Sequence, residues 1–229
     1  MNIDWNKYFD HIYVLSGCSN FEKRKQLEDE FNRIGLNNYQ WWYNCNNYFL
    51  DKSKFWIYND KQNIAFGHYS IIKTCYELGY KNILIMEDDI RFLKDINEIE
   101  NQLNIFLENK DKCDCYYFDY FILNLSIYNF DCIYLNRKTM KYLIYCLEHF
   151  GLNMDMNIPL FYTNKNSYIN YWYYQDNKGN SCDLSIPLEL LPINVKLSPI
   201  RLCIENDNKI IDNIQDINII NKYNIKFYE

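Results

Sequence analysis

Apolar and polar positions follow strand-like and helix-like patterns in turn over the first 80 residues. Residues 11–16 form a short apolar run typical of a buried strand. Ser19 and Glu22 then have the spacing of a capping box, and Gly35 has the place of a helix terminator. The apolar positions of this predicted helix are Phe21, Leu27, Phe31 and Ile34. The aromatic residues 39–45 predict a second strand.

A second helix is predicted over residues 63–78, with Gly79 as its stop. Its apolar positions are Ile64, Ile71, Cys75 and Leu78. Residues 82–86 form a continuous apolar run that ends abruptly at three acids. A run of this kind is typical of a strand that is buried on both faces.

The pattern continues to residue 150. Asp95 and Glu98 predict the start of a third helix, with Ile96, Ile99, Leu103 and Phe106 as its apolar positions. Residues 117–125 and 131–135 are further strand candidates, and residues 137–150 predict a fourth helix. Alternating strands and helices predict an α/β fold with a largely parallel sheet.

Beyond Gly151 the pattern weakens. Aromatic, Asn-rich sequence extends to about Cys182, and a last apolar segment over residues 188–197 is interrupted by Pro192. The chain of 229 residues is 48% hydrophobic and contains 6 Gly and 4 Pro, with no stretch typical of an interdomain linker. We therefore expect one domain with a sizeable core.

Charge argues against nucleic acid as a partner. The formal net charge is −6, whereas a nucleic-acid-binding domain carries a basic face. The one basic run, residues 23–25, lies in the first predicted helix beside Glu22, Glu28, Asp29 and Glu30. This mixture predicts a solvated helix face.

The cysteines and the N-terminus bear on the compartment. Nine cysteines are scattered, mostly in apolar settings, and Cys113 and Cys115 lack the spacing of most zinc or redox sites. This predicts reduced structural thiols and a reducing compartment. The first ten residues contain no apolar signal region, and no run of 18 apolar residues occurs. We expect a cytoplasmic protein without a transmembrane segment.

The acids Glu87, Asp88 and Asp89 are the main candidate site. In an open α/β sheet, ligands bind beyond the carboxyl ends of the strands. Adjacent carboxylates repel one another unless a cation or hydrogen-bond donors compensate. Mg²⁺ and Mn²⁺ favour carboxylates together with ligand phosphates, so a metal-diphosphate site is one interpretation. Acidic triplets are common, however, and the tripeptide alone favours a plain solvated turn.

The neighbouring sequence favours a site. Residues 66–73 read Phe-Gly-His-Tyr-Ser-Ile-Ile-Lys, and His68 precedes Glu87 by nineteen residues. This arrangement resembles glycosyltransferase family 25, which includes lipopolysaccharide-type β-galactosyltransferases and collagen hydroxylysine galactosyltransferases. Its members show a Ser-His pair that opens a helix and then a strand that ends in Glu-Asp-Asp. Further similar segments, in the same order, are residues 11–24, 117–122, 132–143, 154–155 and 190–201.

The resemblance implies a single GT-A-type (Rossmann-like) domain over residues 1–229, with a mixed, mostly parallel central sheet. Residues 11–160 would form the nucleotide-sugar-binding core, and residues 161–229 the acceptor-side and C-terminal segment. The implied reaction is metal-dependent and inverting. It moves galactose or glucose from a UDP-sugar, with Mn²⁺ or Mg²⁺, to a hydroxyl of a glycan or protein-linked acceptor.

The resemblance also implies roles for individual residues. Catalytic roles fall on Asp155 and Asp88, and metal ligation falls on Asp89 and Glu87. The donor would lie near Leu15, Ser16, Arg24, His68 and Glu87. Asp155 is the candidate for the group that takes the proton of the acceptor hydroxyl. His68 has two open interpretations, as a group that contacts or organises the site and as a satisfied structural histidine.

Departures from the family keep an alternative open. The family's Asn-Leu after the first strand is Ser16-Gly17 here, and the Ser before the His is Gly67. The link between residues 119 and 132 is also short. These departures motivate a catalytically silent GT-A-like module that binds a nucleotide sugar or a protein. A nucleotidyltransferase is a third interpretation, although the sequence contains no Gly-rich phosphate loop.

Overall fold

The computed structural model describes residues 3–44, 60–92, 94–118 and 132–150, together with the backbone of six short strands between residues 121 and 205. The helices are α1 (Phe21–Ile34), α2 (Asp60–Glu77), α3 (Ile96–Asn109) and α4 (Arg137–Phe150). The first strands are β1 (Ile12–Gly17), β2 (Gln40–Asn44), β3 (Asn82–Glu87), β4 (Ile90–Phe92), β5 (Cys115–Tyr117) and β6 (Phe121–Leu123). The remaining strands are β7 (Ser126–Tyr128), β8 (Cys132–Asn136), β9 (Tyr173–Gln175), β10 (Ser181–Asp183), β11 (Val195–Leu197) and β12 (Cys203–Glu205).

Six of these strands form one sheet, in the order β11-β5-β8-β3-β1-β2. β1 is parallel to β2 and β3, and β11 is parallel to β5. β8 is antiparallel to both of its neighbours, β3 and β5. The protein therefore has a mixed α/β fold with a mostly parallel sheet, as the alternating pattern predicts. The other described strands form two-stranded pairs: β4 with β12, β6 with β7 and β9 with β10.

The predicted strand over residues 82–86 lies inside this sheet as β3. Ile83 and Ile85 belong to one apolar core, whereas Leu84 and Met86 belong to the other. All four side chains are fully or almost fully buried. The continuous apolar run is thus explained by helices that cover both faces of the sheet.

The two cores lie on opposite faces of the sheet. One contains residues of α1, α3 and the N-terminal segment, among them Phe9, Phe31, Leu103 and Phe106. The other contains residues of α2 and α4, among them Ile71, Cys75, Met140 and Leu143. Trp41 packs against the first core and Trp42 against the second, so the Trp pair contributes to packing on both faces of the sheet.

The helix ends agree with the predicted punctuation except at α1. Gly35 follows α1 with φ of 71° and Gly79 follows α2 with φ of 82°, left-handed conformations that glycine adopts readily. Asp95 caps α3 by accepting hydrogen bonds from the main-chain N–H groups of Asn97 and Glu98. The predicted capping box at Ser19 is wrong, because α1 starts after Asn20 and has no side-chain cap bond.

Three predicted core positions are exposed instead. Phe21 is 72% exposed, Leu78 60% and Ile64 41%. Phe21 is six residues from Leu27, a separation that places the two side chains on different sides of the helix. The buried stripe of α1 is completed by Arg24, which is 8% exposed.

The cysteine prediction is confirmed in part. Cys75, Cys113, Cys115 and Cys132 are buried and free. Cys18, however, is disulfide-bonded, so the expectation of reduced thiols throughout the chain is wrong at this position. Within the described part of the chain, no helix combines the length and the apolar character that a membrane crossing requires.

Phe106 offers a test of the first core. Its ring lies 5.2 Å from that of Phe9, 5.3 Å from that of Phe118 and 4.9 Å from that of Tyr134, measured between centroids. We expect Phe106→Ala to lower the free energy of unfolding by about 3–5 kcal/mol, because it removes a buried ring and leaves a cavity. Urea denaturation measures the loss. The exposed Leu78→Ala is the control, and a similar loss in both variants would contradict this core.

Candidate active site

Three parallel strands end at the same edge of the sheet. The register pairs Leu15 of β1 with Glu87 of β3, and Ser16 of β1 with Tyr43 of β2. Asp88 and Asp89 form the turn that directly follows β3. The acids therefore lie at the carboxyl edge, which is where α/β sheets bind ligands.

Asp88 holds the end of β1 and the start of α1 together. Its side chain is buried, and its Oδ2 accepts hydrogen bonds from Ser16 Oγ at 2.5 Å and from Asn20 Nδ2 at 3.0 Å. Arg24 Nη1 donates to the same Ser16 Oγ at 3.1 Å and to the carbonyl oxygen of Gly17 at 2.7 Å. Asp88 thus accepts hydrogen bonds from the end of β1 and from the residue that precedes α1, both remote from Asp88 in sequence.

Gly17 makes this arrangement possible. A Cβ atom at this position would lie 3.0 Å from Asn20 Nδ2 and 3.3 Å from Asn20 Cγ, closer than side chains normally approach. The absence of a side chain at Gly17 leaves space for the Asn20 amide beside Asp88. The Ser16-Gly17 pair, a departure from family 25, therefore stabilises Asp88 in two ways. Ser16 donates a hydrogen bond to it, and Gly17 leaves room for Asn20 to do the same.

Glu87 has a different partner. Its Oε1 lies 2.8 Å from His68 Nε2, and the His68 side chain is 2% exposed whereas that of Glu87 is 16% exposed. His68 belongs to α2, so this contact joins α2 to the end of β3. The buried imidazole holds the more accessible carboxylate, a contact that leaves both interpretations of His68 open.

Asp89 is the least satisfied of the three acids. Its Oδ2 lies 3.1 Å from Lys23 Nζ, while its Oδ1 is buried and lacks a hydrogen-bond partner among the described residues. Burial raises the pKa of Asp89, and the neighbouring Glu87 and Asp88 raise it further, against the opposing effect of Lys23. Asp89 is therefore the carboxylate that would gain most from a cation.

The three carboxylates do not converge on one point. Each has its own protein partner: His68 for Glu87, Ser16 and Asn20 for Asp88, and Lys23 for Asp89. Within the described ranges, no group of three or more His, Cys, Asp or Glu residues is arranged to hold a metal. One or two carboxylates are nevertheless enough for Mg²⁺ or Mn²⁺ when a ligand supplies phosphate oxygens.

The prediction of a solvated helix face at residues 23–25 is confirmed at Lys23 and Lys25, which are exposed, and wrong at Arg24. Arg24 is buried, and its guanidinium carbon lies 4.5 Å from the ring centroid of Phe21 and 5.2 Å from that of Tyr43. Lys23 pairs with Asp89. Two of the three basic side chains in the first turns of α1 therefore contact the carboxyl edge, Arg24 at Ser16 and Lys23 at Asp89. A cavity of about 280 Å³ lies between α1 and residues 88–91; Lys23 and Asp88 line it, whereas Arg24 and Asp89 do not.

The remaining predicted residues are placed less directly. Leu15 is buried in the core beneath α2 and α4, so its contribution to the edge comes from the main chain. Asp155 lies outside the described residues. The sequence analysis did not identify Asn20, Lys23 and Tyr43 as site residues. For Asn20 the available signal was its residue type, since Asn next to a predicted helix start is a common capping residue.

Comparison with known proteins gives structural likenesses at low identity. No family model matches the chain, and no curated protein sequence matches it. Similar solved structures include A197 from STIV, at 11% identity and a TM-score of 0.32, covering 57% of this chain and 67% of that one. A glycosyltransferase involved in the glycosylation of the major capsid of PBCV-1 has 16% identity and a TM-score of 0.35, covering 61% and 68%.

A third similar structure is a cytidylyltransferase from Leptospira borgpetersenii serovar Hardjo-bovis. It has 12% identity and a TM-score of 0.34, with 61% of this chain and 68% of that one covered. At these TM-scores none of the likenesses assigns an activity. Membership of family 25 remains a prediction from the motifs.

The raised pKa of Asp89 predicts a pH-dependent stability. The folded protein binds more protons than the unfolded chain between the ordinary Asp pKa of about 4 and the raised value. Stability contributed by this group therefore falls as pH rises through that window. In metal-free buffer, we expect Asp89→Asn to resist urea better than wild type above the window and to lose this advantage near pH 4.

Urea denaturation across a pH series measures this difference, and Asp111→Asn, at an exposed position far from the triplet, is the matched control. An Asp89→Asn variant that is less stable than wild type at every pH would show that the Lys23 pair outweighs the cost of burial.

Proposed function

We propose that the protein is a metal-dependent, inverting glycosyltransferase that moves a hexose from a UDP-sugar to a hydroxyl of a glycan or protein-linked acceptor. The observation that carries the proposal is the position of Asp89. It lies at the carboxyl edge of a buried central strand, and its buried Oδ1 accepts no hydrogen bond from the residues that the structure describes. The motif resemblance to family 25 supports the choice of reaction.

The residues at this edge suit a divalent cation. Asp89 Oδ1 is the proposed metal ligand, and Glu87, oriented by His68, is the proposed second ligand. Mn²⁺ or Mg²⁺ prefers such oxygens together with phosphate oxygens and water. When bound, the metal supplies positive charge that stabilises the departing nucleoside diphosphate.

Lys23 and Arg24 support the donor in this proposal. Lys23 is half exposed, so its ammonium can leave Asp89 and turn to a phosphate when a metal binds the carboxylate. Arg24 is held by Ser16 Oγ and the carbonyl oxygen of Gly17, and it keeps the end of β1 in place. Ser16 and the main chain of Leu15 then face the nucleotide. Both basic side chains add positive charge where the diphosphate would lie.

Proton removal from the acceptor is assigned from the resemblance alone. Asp155 is the proposed base, which takes the proton of the attacking hydroxyl. Asp88, proposed as catalytic from the motif, is better suited to holding the site in shape, because its Oδ2 already accepts two hydrogen bonds. Its other oxygen remains the atom with which it could contact the sugar.

Removal of the Asp89 carboxylate tests the proposal directly. We expect wild type to hydrolyse or transfer UDP-galactose or UDP-glucose with Mn²⁺ and to lose this activity in EDTA. We expect Asp89→Ala to lose on the order of 100-fold or more in rate, because an electrostatic contact to the leaving group disappears. Sugar release and UDP production measure the rates, with Asp111→Ala as the matched control.

The alternatives give different outcomes in the same assay. Metal-dependent binding of UDP-sugar without turnover on any acceptor would favour the nucleotide-sugar-binding module over the enzyme. When UTP and a hexose 1-phosphate replace the UDP-sugar, formation of a UDP-sugar with release of pyrophosphate from UTP would favour a nucleotidyltransferase. If neither UDP nor Mn²⁺ binds at millimolar concentration, the proposal is wrong.

His68 provides a second test, through its contact with Glu87. We expect His68→Ala to weaken Mn²⁺ binding by about 10- to 100-fold, the usual effect of removing a group that orients a metal ligand. Electron paramagnetic resonance of free Mn²⁺ measures the affinity without reference to turnover. His11→Ala, at the opposite edge where His11 stacks on Tyr80, is the control. An unchanged affinity in a folded His68→Ala protein would contradict the orienting role.

A further inference from the structure

Two exposed aromatic side chains at the carboxyl edge contact the same guanidinium group, that of Arg24. Among the described residues, four large hydrophobic side chains are exposed: Phe21, Tyr43, Ile64 and Leu78. Phe21 is 72% exposed and Tyr43 50% exposed, and these two are the aromatic members of the group. Exposed aromatic surface is unfavourable in water, so two exposed rings that share one contact suggest a ligand.

Arg24 holds the two rings in a fixed relation. Its guanidinium carbon lies 4.5 Å from the Phe21 centroid and 5.2 Å from the Tyr43 centroid. The guanidinium is itself anchored, since it donates to the carbonyl oxygens of Gly17 and Cys18 and to Ser16 Oγ. Each ring contacts this buried, anchored cation, while much of each aromatic side chain stays exposed to solvent. The shared contact restrains both rings before a ligand binds.

The two rings lie next to the acids. Tyr43 pairs in register with Ser16, and Ser16 Oγ hydrogen-bonds both Arg24 and Asp88. The order along the edge is therefore the rings beside β2 and β1, then the network around Ser16, then the acids after β3. A ligand whose anionic end lies at Lys23 and Asp89 would reach the rings with its other end.

We infer that Phe21 and Tyr43 form the binding site for the planar base of a nucleotide. A base presents a π-face that stacks on an aromatic ring, and such stacking does not require hydrogen bonds from the ring. The guanidinium that both rings contact adds a cation–π contribution. The inference rests on the proposed function, because it takes the phosphates of that nucleotide to lie at the acids.

Two ligands that differ by the base alone test this site. UMP carries uracil, whereas ribose 5-phosphate has the same sugar phosphate without a base. We expect Phe21→Ala and Tyr43→Ala each to weaken UMP binding by about 5- to 150-fold, the range that loss of one stacking contact produces. Ribose 5-phosphate binding is expected to change little. Isothermal titration calorimetry with Mn²⁺ present measures the affinities of wild type and both variants for the two ligands.

Controls separate stacking from folding. Leu78→Ala removes an exposed apolar side chain away from the edge and is expected to leave UMP binding unchanged. Phe21→Trp keeps an aromatic surface and is expected to retain UMP binding, whereas Phe21→Leu keeps the apolar character and is expected to weaken it. Urea denaturation shows whether each variant is folded.

Each other outcome overturns a defined part of the inference. If both alanine variants bind UMP like wild type, the rings are not the base site, although the proposed function stands. If UMP and ribose 5-phosphate weaken equally, the rings contact the sugar phosphate and the base assignment is wrong. If neither UMP nor UDP binds wild type, the base site and the proposed function both fail.

Discussion

The buried carboxylate of Asp88 is the contact on which the arrangement of this edge depends. Its Oδ2 accepts hydrogen bonds from Ser16 Oγ and Asn20 Nδ2, and Ser16 Oγ accepts one from Arg24 Nη1. A buried carboxylate without donors would be strongly unfavourable, so these donors must remain in place for the turn after β3 to fold. The same bonds fix where β1 ends and where α1 starts. The neighbouring acids Glu87 and Asp89 are thereby presented at a defined position.

This network changes what the local sequence would otherwise do. Asn20 is a residue type that commonly caps helices, and a capping side chain stabilises a helix by about 1 kcal/mol. Here the Asn20 side chain is used for Asp88 and α1 has no side-chain cap. The helix gives up local stability so that its first turns face the acids. Lys23 and Arg24 follow from that orientation, since both lie in those turns.

The sequence predicted elements whose determinants are local. β3, the Asp95 cap of α3 and the extent of α4 agree with the apolar pattern and the capping residues. Features that depend on distant partners were missed. Asn20 and Asp88 are 68 residues apart, and Lys23 and Asp89 are 66 residues apart, so no local pattern contains either contact. The acidic triplet was recognisable, but the separate partners of its three members were not.

The reversed strand β8 has a consequence for how this edge is divided. Its first residue, Cys132, pairs with Met86 near the end of β3, and the main-chain N–H of Phe118 donates to the Cys132 carbonyl oxygen. At the carboxyl edge, therefore, β8 begins between two strands, β3 and β5, that end there. β1, β2 and β3 form one side of this boundary, and β5 and β11 the other. A change in the length of a segment beyond this boundary therefore need not alter the pairing of β1 with β3 that positions Asp88.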